Sequence, residues 1–332
     1  MPLSLFVVSL PKTQHNELMN RTGEATLVKN AGSCYMLSEL PVWELFPAVL
    51  RGKIRLKDSE ATNPIAIGDR VIYETDGEAD MENPASIVEI LPRKNYLIRK
   101  SANLSHQAHI IAANLDKAYI IATLQFPQIK LPFLDRILVT CEIYNVPATI
   151  VLNKMDLFRE ICPEQIDDFK RIYESAGYEV ICTSVKSGEG MEKLRQDCKG
   201  KICLFSGESG VGKSSIIKAL DPGLDPRIGD ISTAHLQGKH TTSLYEMYKI
   251  ASGGFLIDSP GLRGFGLVNV EKEEVATYFP EMLKISENCR FKPCTHTHEP
   301  GCAVKAAVEE GKISEERYSS YLGMLTEEKK YR

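Results

Sequence analysis

No stretch of the 332-residue chain approaches the roughly 18 consecutive apolar residues of a membrane-spanning helix, so no membrane span is expected. The opening run MPLSLFVVSLPKTQ is apolar but lacks a basic leading region and breaks at Pro11, which makes it a poor secretory signal. A cytoplasmic protein without membrane contact is the expectation. Positive charge is in slight deficit: 40 Lys and Arg against 44 Asp and Glu leave a formal net charge of −4. That balance excludes a uniformly basic coat, so any nucleic-acid contact must be local. Cysteine is present nine times, yet six residues (Cys34, Cys141, Cys162, Cys182, Cys198 and Cys203) are scattered through apolar or helical contexts and read as buried free thiols. Only Cys289, Cys294 and Cys302 cluster.

What remains is ordinary for a globular protein, 43% hydrophobic and 25% charged, and long enough for two or three domains. From about Thr22 to Ser101 short strand-like segments (GEATLV, GSCYML, AVLRGKIRLK, GDRVIYE, ASIVEIL, NYLIRK) are separated by turn residues, and their size suits a five-stranded OB-type barrel. In RGKIRLK, Arg51, Lys53, Arg55 and Lys57 alternate with Gly52, Ile54 and Leu56, so on a strand all four cations would project from one face. Such a stripe suits tracking RNA phosphates, and it equally suits a solvated outer face.

Between about Asn103 and Phe279 apolar strands alternate with amphipathic helices. AYIIATL, ATIVLN, EVICTS, KICLFS and GGFLID read as strands; Leu134, Ile137, Leu138 and Cys141, then Ile166, Phe169, Ile172 and Tyr173, read as helix stripes, the second closed by Gly177. This predicts a parallel sheet covered on both faces. After Phe279 a Cys/His segment leads into helical, charged sequence too short to bury much alone, so a metal would supply the missing stability.

GESGVGKSS, Gly207 to Ser215 (Gly207, Glu208, Ser209, Gly210, Val211, Gly212, Lys213, Ser214, Ser215), fits the phosphate-binding loop between a strand and a helix. Its glycines let backbone N–H groups converge on phosphates at the helix's positive end. Lys213 would reach the β and γ phosphates and Ser214 would ligate Mg²⁺. NKMD (Asn153, Lys154, Met155, Asp156) follows the strand ATIVL, and the Asp156 carboxylate can accept two hydrogen bonds from guanine where adenine offers neither donor. Asn153 would tie the loop to its neighbours, the Lys154 stem would lie along the base, and backbone N–H groups around Thr183, Ser184 and Val185 would meet the guanine O6.

DSPG places Asp258 to hold Mg²⁺ through water and the Gly261 N–H to meet the γ-phosphate, while GKHTTS offers Thr241 or Thr242 as the threonine that closes on Mg²⁺. One absence is local. The residue after DSPG, where many GTPases carry a water-orienting Gln, is Leu262, so hydrolysis should be slow without a partner; His240 is the candidate to position water, against a plain surface histidine. The order of motifs, guanine loops first and phosphate loop later, is a circular permutation of the usual one. It makes the segment after Asp258 lead straight into the C-terminal region, a path for transmitting the γ-phosphate state. There, Cys289, Cys294, His296 and Cys302 give C-x4-C-x-H-x5-C, a set for one tetrahedral Zn²⁺, with His298 as a spare imidazole and a disulfide as the weaker reading.

Together NKMD, GESGVGKS, GKHTT, DSPGLRGFG and CRFKPCTHTHEPGCAV resemble the circularly permuted ribosome-biogenesis GTPases of the RsgA (YjeQ/YloQ) family, from roughly Thr22 to Leu325. The resemblance implies a multidomain chain: an extension over 1–18, an OB-fold barrel over 19–102, a circularly permuted α/β P-loop GTPase domain over 103–278 and a small α-helical zinc-binding domain over 279–332. It further implies a monomer that binds the small (30S) ribosomal subunit and its 16S rRNA, with GTP hydrolysis stimulated by that subunit late in its maturation. Ser259 stands where the family usually has threonine, and Met19 is a second candidate start. The competing reading is a zinc-containing RNA-binding module that uses nucleotide only as a conformational ligand, suggested by Leu262 and the basic stripe. Unaltered RNA binding by a nucleotide-free Lys213→Ala protein would favour it.

Overall fold

The computed structural model describes residues 20–30, 34–51, 65–100, 108–224, 245–258 and 270–327. Five strands, β1 (Asn20–Asn30), β2 (Tyr35–Ser38), β3 (Phe46–Leu50), β4 (Arg70–Asp76) and β5 (Ala85–Ile90), pair in the order β1-β2-β3-β5-β4, and β4 returns to β1 to close a barrel. The β3–β5 pair is parallel and the others are antiparallel. Alternation fills the interior: Ala25, Leu27, Leu37, Ala48, Val71, Tyr73, Ala85 and Ile87 are buried.

The segment NYLIRK is not a barrel strand. It forms β6 (Tyr96–Lys100), which pairs with β7 (Ala108–Ala113) in a separate two-stranded ribbon bridging the expected boundary at 102–103. Asparagines pin the ribbon on two sides: the Asn114 side chain donates to the Gly68 carbonyl beside barrel strand β4 (2.9 Å), and Asn95 donates to the carbonyls of Leu115 and Asn145 on the sheet-domain side (2.9 and 3.1 Å).

The second layer system is a six-stranded sheet built from β8 (Lys117–Ala122), β9 (Ala148–Leu152), β10 (Glu179–Cys182), β11 (Ile202–Gly207), β12 (Glu246–Ile250) and β13 (Gly254–Asp258), in the order β10-β9-β8-β11-β13-β12. The chain enters at β8 in the middle, runs outward through β9 and β10, and returns to β11. Every neighbour pair is parallel except β12–β13, so the expected parallel sheet carries one antiparallel edge strand. That edge does not end the sheet, because β12 pairs in turn with barrel strand β1 and joins both domains into one 11-stranded array.

Helices α1 (Leu131–Ile143), α2 (Met155–Phe158) and α3 (Pro163–Ser175) pack on one face and α4 (Met191–Asp197) and α5 (Lys213–Leu220) on the other. α1 and α3 each start with proline in the first turn, where its missing N–H costs nothing. The expected stripes are buried in both. α3 ends on Gly177 at φ +100°, with Gly177 N–H donating to Glu174 O (3.1 Å) and Tyr178 N–H to Tyr173 O (2.9 Å), the paired bonds of a Schellman cap.

The C-terminal region holds a 3-10 turn (Val275–Tyr278), α6 (Pro280–Ser286), α7 (Ala303–Glu309) and α8 (Glu315–Glu327) around its own core of Phe279, Met282, Val304 and Tyr321. That core also includes Val139 of α1, so the region borrows apolar surface from the sheet domain. Arg317 of α8 is buried between Asp135 of α1 (2.8 Å) and Glu281 of α6 (2.8 Å). No described helix is long and apolar enough to cross a membrane.

Candidate functional site

In an open sheet, ligands gather beyond the carboxyl ends of the strands. The chain places four motif segments there: Asn153 after β9, Thr183 and Ser184 after β10, the glycine loop after β11 and Asp258 at the end of β13. Asn153 is buried and holds three of these together. Its amide donates to the Val211 carbonyl (2.9 Å), its carbonyl oxygen accepts from the Thr183 hydroxyl (3.1 Å), and its backbone N–H donates to Ala122 O (2.9 Å). Gly212 sits against that amide at φ +94°, where any side chain would strain the backbone and collide with Asn153.

Lys154 adopts a left-handed conformation (φ +68°), which turns its side chain back across the cleft. Its ammonium donates to the carbonyls of Gly210 (2.7 Å) and Phe126 (2.6 Å), which ties the NKMD turn to the glycine loop. Asp156 is exposed, and its carboxylate accepts from the Ser184 hydroxyl (2.7 Å), which itself accepts from the Ser187 N–H (3.1 Å). The Ser184 amide already donates to Glu189 O (3.0 Å), so Ser184 contributes its hydroxyl to the site rather than its backbone. Val185 lies partly exposed beside it. Met155 and Val211 are fully buried, and their backbone groups tie the loops together, the Met155 N–H donating to Thr183 O (3.1 Å) and the Val211 carbonyl accepting from Asn153.

At the other end, Lys213 begins α5 and its ammonium lies 2.7 Å from Asp258 Oδ1, both side chains largely buried. Ser214 and Ser215 occupy the next positions of the first turn, below the loop Gly207, Glu208, Ser209 and Gly210. One cleft therefore collects a carboxylate, a lysine stem, a glycine loop at a helix start, a second lysine and a second carboxylate. The donor types suit a purine at one end and phosphates with a divalent cation at the other. His240, Thr241, Thr242, Gly261 and Leu262 lie outside the described residues, as do Lys53, Arg55 and Lys57. Arg51 lies just past β3, and its guanidinium pairs with Glu74 (2.5 Å).

The metal-ligand set is a second site. The donor atoms of Cys289, Cys294, His296 and Cys302 all lie within 4.8 Å of one another, and all nine cysteines are free. Cys289 Sγ is 4.0 Å from Cys302 Sγ, and His296 Nδ1 is 3.6 and 3.3 Å from those sulfurs. Tetrahedral zinc with ordinary bond lengths needs edges of roughly 3.8 Å between sulfurs and roughly 3.6 Å between sulfur and nitrogen. Burial, with neighbouring thiols adding to it, pushes Cys294 up to about 12, and burial lowers the His296 imidazole below its ordinary value. A cation held by these four residues would offset that burial and favour the thiolates. His298 points elsewhere, to the Thr297 hydroxyl (2.9 Å). The hydroxyls of Tyr318 and Tyr321 on α8 donate to the His296 and Thr295 carbonyls (2.6 and 2.5 Å), and Glu299 accepts from the Thr295 N–H (2.8 Å) and hydroxyl (2.6 Å). Sequence reasoning missed these supports, and the Phe126 carbonyl, because nothing local marks them.

Comparison with known proteins gives a consistent result. The family model described as RsgA GTPase matches residues 90–268. The small ribosomal subunit biogenesis GTPase RsgA of Bacteroides fragilis is 45% identical over 308 residues, covering 92% of this chain and 98% of that protein. The protein of the same name from Flavobacterium psychrophilum is 43% identical over 297 residues, 90% of each chain. Among solved structures, YjeQ from Thermotoga maritima superposes with a TM-score of 0.74 at 32% identity over 92% of this chain and 98% of that one. YloQ, described as a circularly permuted GTPase, does so with 0.70 at 26% identity over 96% and 99%.

Proposed function

The chain belongs to the RsgA GTPase family, and from that premise we propose that it is a cytoplasmic, monomeric GTPase of small ribosomal subunit biogenesis. It binds the 30S subunit and its 16S rRNA, hydrolyses GTP with Mg²⁺, is stimulated by the subunit, and acts late in maturation. The observation that carries the reading is Asn153: one buried side chain clasps the phosphate loop at Val211 and the guanine loop at Thr183, so base and phosphate determinants share a cleft.

Asp156 accepts the guanine N1–H and 2-amino hydrogens, which gives selectivity over adenine. Ser184 holds that carboxylate in place, Lys154 covers the base with its stem, and Met155 and Val185 line the loops through backbone groups. Lys213 and the amides of the loop from Gly207 to Gly212 cradle the phosphates, with Glu208, Ser209 and Ser215 along its rim. Ser214, Asp258 and either Thr241 or Thr242 would hold Mg²⁺, which when bound neutralises charge on the phosphate oxygens. The Gly261 amide meets the γ-phosphate. Leu262 cannot orient water, so the free protein turns over slowly and the subunit completes the site, with His240 as the candidate water-positioning group.

Cys289, Cys294, His296 and Cys302 would hold one structural Zn²⁺, for which their spacing and donor chemistry fit. Arg51, Lys53, Arg55 and Lys57 are the candidate RNA contacts of the barrel, Arg51 exchanging Glu74 for phosphate. The test is GTP turnover with and without purified small subunits: stimulation is expected, and its absence removes the ribosomal part of the reading.

A further inference from the structure

The barrel and the nucleotide domain share more than a connecting chain. Strand β1 pairs with β12 at Lys29 and Glu246, and the Lys29 ammonium donates to Glu246 Oε1 at 2.7 Å. Glu246 stands directly opposite Asp258 across the β12–β13 pair. Asp258 in turn meets Lys213 of the phosphate loop at 2.7 Å. Four charges, Lys29, Glu246, Asp258 and Lys213, thus form one row across the strands, positive, negative, negative, positive.

Directly opposed side chains project from the same face with Cβ atoms about 4.5–5.5 Å apart, and like charges at that spacing repel. Each carboxylate in the row is balanced by its own lysine. The lysine at one end is also the group that phosphate draws away. On the opposite face of the hairpin the barrel makes a second contact: Trp43, between β2 and β3, lies 5.5 Å from the Phe255 ring of β13. A single buried cluster runs from the barrel interior through Met247, Phe255 and Ile257, so the joint is stiff rather than hinged. The hairpin that the barrel grips on both faces ends on Asp258.

We propose that the row Lys29–Glu246–Asp258–Lys213 couples the barrel to the nucleotide: occupancy of the phosphate site alters the barrel's hold on β12, and a ligand on the barrel alters turnover at the site. The coupling is reciprocal because both ligands bias one shared set of contacts. It rests on the reading above, in which the cleft binds guanine nucleotide and the barrel meets the small subunit.

Trp43 is the only tryptophan in the chain, so its emission reports this joint without background. The full-length protein is measured nucleotide-free, with Mg²⁺ and GDP, and with Mg²⁺ and a non-hydrolysable GTP analogue, saturation being verified by equilibrium dialysis. The emission is expected to differ between the di- and triphosphate forms, and Lys29→Met is expected to abolish that difference. Turnover is then compared with and without small subunits. Lys29→Met keeps free turnover within about twofold and lowers the subunit-stimulated rate at least about fivefold, the lower end of ordinary coupling. Arg70→Met, which breaks an ion pair to Glu24 within the barrel, leaves both readouts at wild-type values. Identical Trp43 emission in all three states overturns the proposal, as does a Lys29→Met protein with full stimulation. If the wild type is not stimulated, the ribosomal reading fails instead, and Trp43 emission, which needs no subunit, decides the row. If dialysis shows that neither nucleotide binds, both readings fall.

Discussion

The Lys213 ammonium and the Asp258 carboxylate form an ion pair at 2.7 Å, across the gap between the start of α5 and the end of β13. The pair neutralises two largely buried charges, either of which would be costly alone. On the proposed function, nucleotide with magnesium would exchange both partners together, phosphate taking the lysine and the cation the aspartate, which would link the binding of the two.

Lys213→Ala is expected to weaken both GDP and GTP on the order of 10- to 100-fold, the worth of a charge-assisted hydrogen bond of about 1.5–3 kcal/mol. It also leaves Asp258 without its lysine, so magnesium should bind the variant's cleft less dependently on nucleotide. Fluorescent-nucleotide titration with and without Mg²⁺ checks both statements, and an unchanged GDP affinity would place Lys213 outside the phosphate site.

Asp156→Asn tests the base end. Asparagine presents one acceptor and one NH₂ donor where the carboxylate presented only acceptors, so the 2-amino group of guanine loses its partner and the 2-oxo group of xanthine gains one. GTP affinity should fall at least about 100-fold, the loss expected when a site built to hydrogen-bond a substrate group can no longer do so, while XTP should bind better than to the wild type. Competition between the two triphosphates measures this. A variant that keeps its GTP preference would show that the base lies elsewhere.

The motifs that gather at the strand ends were legible because each depends on a few consecutive positions. A glycine loop between an apolar strand and a helix, or NKMD at a strand end, carries its geometry locally, as do the i, i+3, i+4, i+7 stripes of α1 and α3. Features set by distant contacts were not legible. NYLIRK alternates as any half-buried strand does, and only tertiary pairing assigns it to β7 rather than the barrel. EMYKI, β12, keeps charges at Glu246 and Lys249, which hides a strand whose partners lie in two domains. The Lys29–Glu246 pair spans 217 positions, a distance no pattern crosses.

Arg317 belongs to the same group, since EERYSSY reads as a solvated helix face. Its side chain is only 1% exposed, against 0% for Asp135 and 6% for Glu281, and its guanidinium lies 4.6 Å from the centre of the Phe279 ring. Burial works against its charge, but the two carboxylates outweigh that and raise Arg317 further above its ordinary value. Arg317→Met strands two buried carboxylates and should destabilise the protein by about 3–5 kcal/mol. Replacing Arg317, Asp135 and Glu281 together by apolar residues should cost much less. Urea unfolding of the two variants makes the comparison, and equal losses would show that packing rather than charge holds α8 on α1.

Cys302→Ser removes one thiolate and also the sulfur that accepts from the Lys305 N–H at the start of α7. Purified wild type is expected to carry one equivalent of zinc by elemental analysis, and the variant much less. Because the C-terminal core is small, metal loss should loosen α7 and α8 while leaving the sheet domain folded. Hydrogen exchange would show this as lost protection confined to residues beyond about Phe279. Full protection in a zinc-free wild type would make the metal dispensable for folding.

Asp197 gives a pH prediction with a definite sign. At the end of α4 it accepts from Lys117 Nζ (2.8 Å), Lys201 Nζ (2.8 Å) and the Tyr119 hydroxyl (2.7 Å). Burial alone would raise its carboxyl, but the bonds from Lys117, Lys201 and Tyr119 outweigh that and hold it well below the ordinary carboxylate range. A depressed native value stabilises the fold above the unfolded value of about 3.9, and the benefit disappears as pH falls through the native value. Asp197→Asn should therefore be less stable than wild type by about 1–3 kcal/mol at pH 7, with the gap closing steadily below about pH 4. Urea midpoints measured from pH 7 down to pH 3 test it. A gap that stays constant over that range would mean that the asparagine loses shape or hydrogen-bond geometry, not charge.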